Sequence, residues 1–449
     1  MTKAVDRDSV SLLDLSALLS TWHCIDKRNR QLGWMRYDPA DLDDSPFLDA
    51  LRFPPVRRIA RNAVRAADLV APFPVHSLFQ VQPTVVPTAF YHVGMAYLMR
   101  EGISVPDYAW DGEAADAVCN EALGRRIAAE HNCWAHPYRH HAKNWRRETL
   151  CSAPASCAHH TARLGILLLE VGRAHDSSDL ISAGVSAARA LIEYHQWHEY
   201  DDGTATVSYY PNTDDETINT CAEIAALLSL VPAEHELPNR QDRLVGIVRM
   251  MLKEQRADGS WTYYTARHYQ RHGNAPWVDN HHSAQVLQAL ARVYASGLLP
   301  DSIKRQVVTA VRRGIEYYCD AFIKPDGSAT YFPYGKAQGG TVRIGKRPTE
   351  ITGYTEGLAA IAWSLRSGAV HRDELLGARL LRDARRLLLS SFRFVNNRTY
   401  DVASSERFGM FYNIKSLRWG SGPLMEGIQY ALRISHCLNP ALEVPSMET

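Results

Sequence analysis

Apolar residues in this chain recur at spacings of three and four rather than two, so the pattern predicts helices and few strands. Two kinds of helical stretch alternate. The first is amphipathic and Arg-rich, at 55–70, 116–132, 179–196, 240–255, 301–323 and 372–394. The second is less charged and richer in Ala, Leu and small residues; it begins near Thr88, Ser156, Thr217, His282, Thr352 and Pro423. An amphipathic helix hides one stripe and shows the other to water, whereas a helix apolar on most sides is packed on both. Six of each kind predict two concentric rings. Successive inner stretches start about 60 to 70 residues apart, close to what two helices and a loop require. The expected fold is therefore all-α, a single (α/α)6 toroid over 54–449, with residues 1–53 as an N-terminal helix and wrapping arm.

Length alone would suggest two or three domains for 449 residues, and the repeat reduces that to one. A net charge of +1 with 22% charged residues gives no sign of nucleic-acid binding or of a membrane surface. The eight cysteines show no CxxC and no regular framework, so they read as reduced thiols. No long apolar segment marks a secretion signal or a membrane span. A cytoplasmic protein is expected.

In a toroid the loops leading into the inner helices open on one end of the central cavity. Each of these loops sets aromatics beside polar groups. The second carries Trp134 and His136, and the third Tyr209, Tyr210, Asp214 and Asp215. The fourth carries Trp261, Tyr263, Trp277, Asp279 and His282; the fifth leads to Tyr354 and Glu356, and the sixth holds Tyr412, Arg418 and Trp419. Aromatic faces stack on sugar rings or shield carbocations, while polar neighbours orient hydroxyls or move protons.

Asp214 and Asp215 are the first catalytic candidates, since a carboxylate among aromatics at a helix start can act as a general acid. Asp before a helix is equally an N-cap. His282 with Asp279 is the second candidate: a carboxylate one turn away can orient an imidazole to act as base or acid. Arg418 beside Trp419 suits an anionic group. The run from His131 to His160 holds Cys133, His136, His140, His141, Cys151, Cys157, His159 and His160, ligand types for a borderline metal. Its spacings match no zinc pattern, so no metal and no other cofactor is expected, with zinc or magnesium as outside alternatives.

With these motifs in place, the chain resembles a bacterial family of polysaccharide-biosynthesis toroids distantly akin to the C-terminal toroid of glucuronyl C5-epimerases. The resemblance rests on Cys133-Trp134, on D-G-S-W-T-Y-Y (Asp258 to Tyr264), on W-V-D-N-H-H (Trp277 to His282) and on F-Y-N-I-K-S-L-R-W-G (Phe411 to Gly420). A weaker resemblance joins Y-Y-P-N-T-D-D-E-T (Tyr209 to Thr217) to the D-x-D-D-T motif of class II terpene cyclases, and E-Q-R-A-D-G-S-W to their QW repeats. That second resemblance would make Asp214 a proton donor. The leading expectation is an acid/base enzyme, epimerase- or lyase-like, acting on a small-molecule or oligosaccharide substrate in polysaccharide biosynthesis. A proton-initiated cyclase and a non-catalytic binding module within a biosynthetic complex are the alternatives.

Overall fold

The computed structural model describes residues 15–436 with interruptions, the longest at 37–44, 68–74, 102–111 and 335–348. After α1 (Leu15–Leu32), the described helices of seven or more residues run α2 (Thr88–Glu101), α3 (Ala114–Gly124), α4 (Ala158–Ala174) and α5 (Ser178–Tyr194). Next come α6 (Ile218–Leu230), α7 (Arg240–Glu254), the short α8 (Ala266–His272), α9 (Asn280–Ala295) and α10 (Asp301–Phe322). The chain finishes with α11 (Ile351–Arg366), α12 (Leu375–Ser391) and α13 (Gly422–His436).

Helices α2, α4, α6, α9, α11 and α13 each pack on the next, and α13 returns to α2, closing an inner ring. The outer layer alternates with it. α3 lies against α2 and α4, α5 against α4 and α6, and α7 against α6. α10 bridges α9 and α11, and α12 bridges α11 and α13. The expected (α/α)6 toroid is present. α1 takes the outer place beside α13, with Leu18, Leu19, Trp22 and Ile25 joining the main core. The helix expected at 55–70 falls largely outside the described residues. α3 stops at Gly124, short of the expected 132, because Ile127 turns away to pair its backbone with Cys133.

The two rings differ in the way their compositions require. In α10 the buried residues Ile303, Val307, Ala310, Val311, Ile315, Tyr318 and Phe322 form one stripe at helical spacing, and its Arg and Lys residues lie off that stripe. In α6 every residue from Ile218 to Ser229 is buried. No helix among the described residues is long and apolar enough to cross a membrane.

The two ends of the toroid are unequal. Inner-to-outer turns are short, as at 175–177 and 296–300, while outer-to-inner connections such as 195–217 and 255–279 are long. The long ones carry the small antiparallel pairings, among them β1 (His140–Asn144) with β2 (Arg147–Cys151) and β3 (Trp197–Glu199) with β4 (Ala205–Val207). β5 (Thr349–Glu350), β6 (Ser405–Arg407) and β7 (Met410–Tyr412) form a three-stranded set.

Three of these connections begin with the same turn. In Asp202-Gly203-Thr204, Asp258-Gly259-Ser260 and Asp326-Gly327-Ser328, the Asp carboxylate accepts both the amide and the hydroxyl two residues on. Each glycine has a positive φ, and at Gly259 a Cβ would meet the Arg313 carbonyl oxygen at 2.5 Å. Further on, tandem aromatics lock neighbouring repeats together. The first backbone N–H of α4 donates to Tyr209 O, that of α6 to Tyr263 O and that of α9 to Tyr331 O. Each loop thus satisfies an orphan donor of the preceding inner helix.

Gly259→Ala is expected to destabilise the fold by roughly 1–3 kcal/mol, from left-handed strain plus the carbonyl contact. Gly297→Ala, also at positive φ but with nothing within 4 Å, should lose less. Equal losses in urea unfolding would remove the contact from the explanation.

Candidate functional site

Each inner helix sends polar side chains to the axis of the ring. Arg163 of α4, with 2% of its side chain exposed, bridges Glu223 of α6 at 2.9 Å and Glu356 of α11 at 2.8 Å. Gln285 and Gln288 of α9 donate to the Glu356 carboxylate at 3.0 and 2.6 Å, and Asn219 of α6 donates to Gln285 at 2.8 Å. Below them, Arg292 of α9 pairs with Glu170 of α4 at 3.0 Å. His92 of α2 meets Glu426 of α13 at 2.5 Å. Buried polar groups are tolerated only when paired, and here the partners come from different helices.

The charges settle accordingly. Burial opposes ionisation of Arg163, but Glu223 and Glu356 outweigh it and hold the guanidinium charged. Burial also opposes ionisation of Glu356, yet Arg163, His92 and the two glutamines keep its carboxyl below the usual value. Burial raises Glu223, and it raises Glu426 far above the ordinary range. His92 falls to about 3 through burial and the Arg163 charge. Both shifts favour the uncharged pair, a carboxylic acid donating to a neutral imidazole.

The mouth lies above this axis, where the long connections meet the N-termini of the inner helices. Asp279 N-caps α9 by accepting the His282 amide at 3.0 Å. Both of its oxygens also lie 2.8 Å from Nδ1 of His282, and Trp277 Nε1 donates to it at 3.1 Å. Burial alone would raise this carboxyl; the His282 charge and the hydrogen bonds bring it below the ordinary value. His282 keeps 23% of its side chain exposed, whereas the Asp279 side chain is fully covered. Tyr263 stands edge-on to the His282 ring at 4.4 Å and stacks on Trp277 at 4.9 Å and 16°. A fixed imidazole beside an aromatic platform is a geometry for moving a proton on a ring-shaped ligand.

Three further cationic or imidazole groups lie near the dyad. His281 and His159 are held far below the ordinary histidine value, first by burial and then by the charges of neighbouring groups including Arg163, Arg418 and His282. Arg418 lies half-buried on the π-helical turn Leu417–Ser421, close enough for its charge to act on His92, His159 and His281.

The acidic triplet of the third connection splits three ways. Asp214 keeps 44% of its side chain exposed and pairs with Arg271 at 3.6 Å and His272 at 3.2 Å on α8. Asp215 is buried, which raises its carboxyl, and its charge reaches the Tyr263 and Tyr264 hydroxyls. Glu216 is fully buried and holds Tyr200, Thr265 and Arg271, tying the third connection to α8.

Of the remaining candidates, Tyr209 is half-buried and meets buried Tyr210 edge-on at 4.9 Å. Glu356 belongs to the axial network. Three aromatics expected to stack on a ligand are wall residues instead. Trp134 is fully buried with Nε1 donating to Ala122 O, and Trp261 donates to Met251 O and covers Gly314. Tyr354 packs on Phe394. A large ring at the foot of a mouth loop is drawn into the gap between the rings because that gap offers the larger burial. The side chains of Tyr412 and Trp419 lie outside the described residues. His136 meets His160 at 3.0 Å, and both cluster with Cys157. The side chains of His140, His141 and Cys151 also lie outside the described residues. The axial residues His92, Arg163, Glu223, Gln285, Gln288 and Glu426 were not singled out from sequence. Their signal is a lone polar residue inside an otherwise apolar stretch, as in A-R-L-G, C-A-E-I and M-E-G.

No protein-family model matches the chain, and no curated protein matches it in sequence. Solved structures match in shape. A sugar epimerase from a ruminal bacterium superposes with a TM-score of 0.55 at 11% identity, covering 80% of this chain and 90% of that one. Cellobiose 2-epimerase from Bacillus thermoamylovorans gives 0.54 at 11% identity with the same coverage. An inactive variant of an α-1,6-mannanase from Salegentibacter, in complex with α-1,6-mannotriose, gives 0.52 at 7% identity, covering 79% and 92%. At these identities the likeness is one of fold.

Two outcomes are expected of the axial network. Arg163→Ala leaves two carboxylates buried without their cation and should cost about 3–5 kcal/mol in urea unfolding; a loss below about 1 kcal/mol would contradict the network. The His92–Glu426 pair sets a pH dependence. The native pair holds one proton, while the unfolded pair holds none above pH 6.5, one between 4.5 and 6.5, and two below 4.5. Its contribution is therefore level from 4.5 to 6.5 and falls above that by at most about 1.4 kcal/mol per pH unit. The stability difference between wild type and the double variant His92→Asn, Glu426→Gln should shrink from pH 6 to pH 8. A constant difference would refute the neutral pair.

Proposed function

We propose that this protein is an acid/base enzyme acting on a saccharide, with His282 as the group that moves the proton and Asp279 as the residue that orients it. One observation carries this reading. At the mouth of a toroid, a covered carboxylate fixes an imidazole whose ring stands against the Tyr263–Trp277 platform. A pyranose has an apolar C–H face suited to such a platform and hydroxyl edges suited to the surrounding imidazoles.

The chemistry follows from the dyad. Asp279 occupies Nδ1 of His282, which leaves Nε2 to take a proton, and the carboxylate stabilises the imidazolium that forms. A hydrogen on the sugar carbon next to a carbonyl is the proton such a base can remove. Arg418 supplies positive charge for the oxyanion that develops. Two ends are then open. Return of the proton held by the His282 imidazolium to the opposite face, after the intermediate turns over, gives an epimer. Protonation of a departing oxygen by Asp215, whose carboxyl is raised by burial, gives an elimination product. The sugar epimerases and mannanase that share the fold add support for a sugar ligand. Proton-initiated cyclisation has no comparable support, because Asp214 is half-exposed and ion-paired rather than enclosed in an apolar cavity.

The test is solvent exchange in deuterium oxide, followed by proton NMR, on cellobiose, α-1,6-mannotriose and oligouronides. Wild type is expected to wash out the hydrogen next to the carbonyl of at least one of them. His282→Ala should slow that exchange by about 10²–10⁴-fold. Asp214→Asn should stay within about threefold of wild type, since Asp214 and Arg271 are both half-exposed. A folded wild type that exchanges no hydrogen on any of these sugars would sink the proposal.

A further inference from the structure

Beside the dyad, the wall of the mouth holds a second constellation that acid/base chemistry leaves unused. His136, Cys157 and His160 are nearly or fully buried, at 5%, 0% and 0% exposure, and one ligand atom from each lies within 4.8 Å of the others. Nε2 of His160 and Nδ1 of His136 face each other at 3.0 Å. Two imidazole nitrogens so placed either share a proton or share a metal ion.

The local fold explains why these three meet. Cys157 is the N-cap residue of α4 and His160 lies in its first turn, so the two project from one face at a spacing of three. His136 arrives from the preceding connection. That segment is pinned by the Cys157 amide donating to Trp134 O at 2.9 Å and by the Trp134 amide donating to Thr161 Oγ1 at 3.2 Å. The buried Trp134 ring anchors it from behind. Tyr209 and Tyr210 pack against Cys157 and complete an aromatic surround.

We propose that His136, Cys157 and His160 bind one zinc ion. A tetrahedral zinc with bonds of about 2.05 Å to nitrogen and 2.3 Å to sulfur sets its donors about 3.3 Å (N to N) and 3.6 Å (N to S) apart. The observed 3.0 Å and the 4.8 Å ceiling bracket those separations, so side-chain torsions alone can seat the ion. Two imidazoles and a thiolate select a borderline metal over a hard one, because the trio offers magnesium no oxygen donor. Binding releases the thiol proton of Cys157, while the hydrogen between the imidazoles moves to a ring nitrogen that does not hold the metal. Three protein donors leave the ion a fourth position. This site stands independently of the saccharide reading, since its readout requires no turnover.

The experiment uses the full chain stripped with a chelator, then titrated with zinc and, in parallel, with cobalt(II). The expected result is one ion per chain that survives gel filtration. Cobalt should give a thiolate-to-metal charge-transfer band and the strong visible bands of tetrahedral coordination. Cys157→Ser should abolish the charge-transfer band and weaken zinc binding by roughly a hundredfold or more with the helical circular dichroism unchanged. Cys133→Ser, at another buried cysteine among the described residues, should keep both. If Cys157→Ser does not fold, the wild-type cobalt spectrum still decides. Stoichiometric uptake with a thiolate band supports the site, while no uptake, or uptake without such a band, overturns it. A band that persists in folded Cys157→Ser overturns it as well.

Discussion

The rest of this structure depends on how charge is held at the axis of the inner ring. Six helices that expose little polar surface to one another still place Arg163, Glu223, Glu356 and Arg292 where water is excluded. Such groups are stable only as a set, because each removes the desolvation penalty of another. Arg163 reaches from α4 to both α6 and α11 across the ring, and Gln285 and Gln288 bring in α9. The network therefore specifies which helices face each other, something a purely apolar core of interchangeable Leu and Ala would leave loose. Burial first, and then the charge of Arg163 among other neighbours, keeps the histidines just above it neutral.

The mouth is built on this floor by a second device, the lapping of each connection over its neighbour. The carbonyls of Tyr209, Tyr263 and Tyr331 cap the inner helices α4, α6 and α9 in turn. In the first two of these pairs the leading ring stays at the opening, and the next, Tyr210 or Tyr264, is buried in the wall. The same hydrogen bond that caps a helix thus holds a half-buried aromatic ring at the mouth. Asp279 joins two tasks in a similar way, since capping α9 also brings its carboxylate onto the imidazole of His282. Structural capping and orientation of a base are here one act of the same side chain.

Much of the fold was legible in the chain because helical periodicity is a local property. The inner helices begin within two residues of where the apolar stretches placed them, at Ala158, Ile218, Asn280 and Ile351 among others. The pairing of Asp279 with His282 was legible for the same reason: residues three apart at a helix start share a face. Asp214 and the large rings were not. Whether Asp214 or Asp215 turns inward depends on Arg271 and His272, more than 50 residues away in sequence. Whether Trp134 and Trp261 serve the cavity or the wall depends on the backbone groups at Ala122 and Met251 that receive their indole N–H.

By itself, the sequence determined the all-α class, the alternation of amphipathic and apolar helices from Thr88 onward, and the local acid–imidazole pair, since each is written in spacings of three or four residues. Only the tertiary structure decided which polar side chains meet across the ring: Arg163 with Glu223 and Glu356, His92 with Glu426, and His136 with Cys157 and His160. These partners lie as far as 334 residues apart, and their contact is fixed by ring closure. Spacing along the chain carries no record of it.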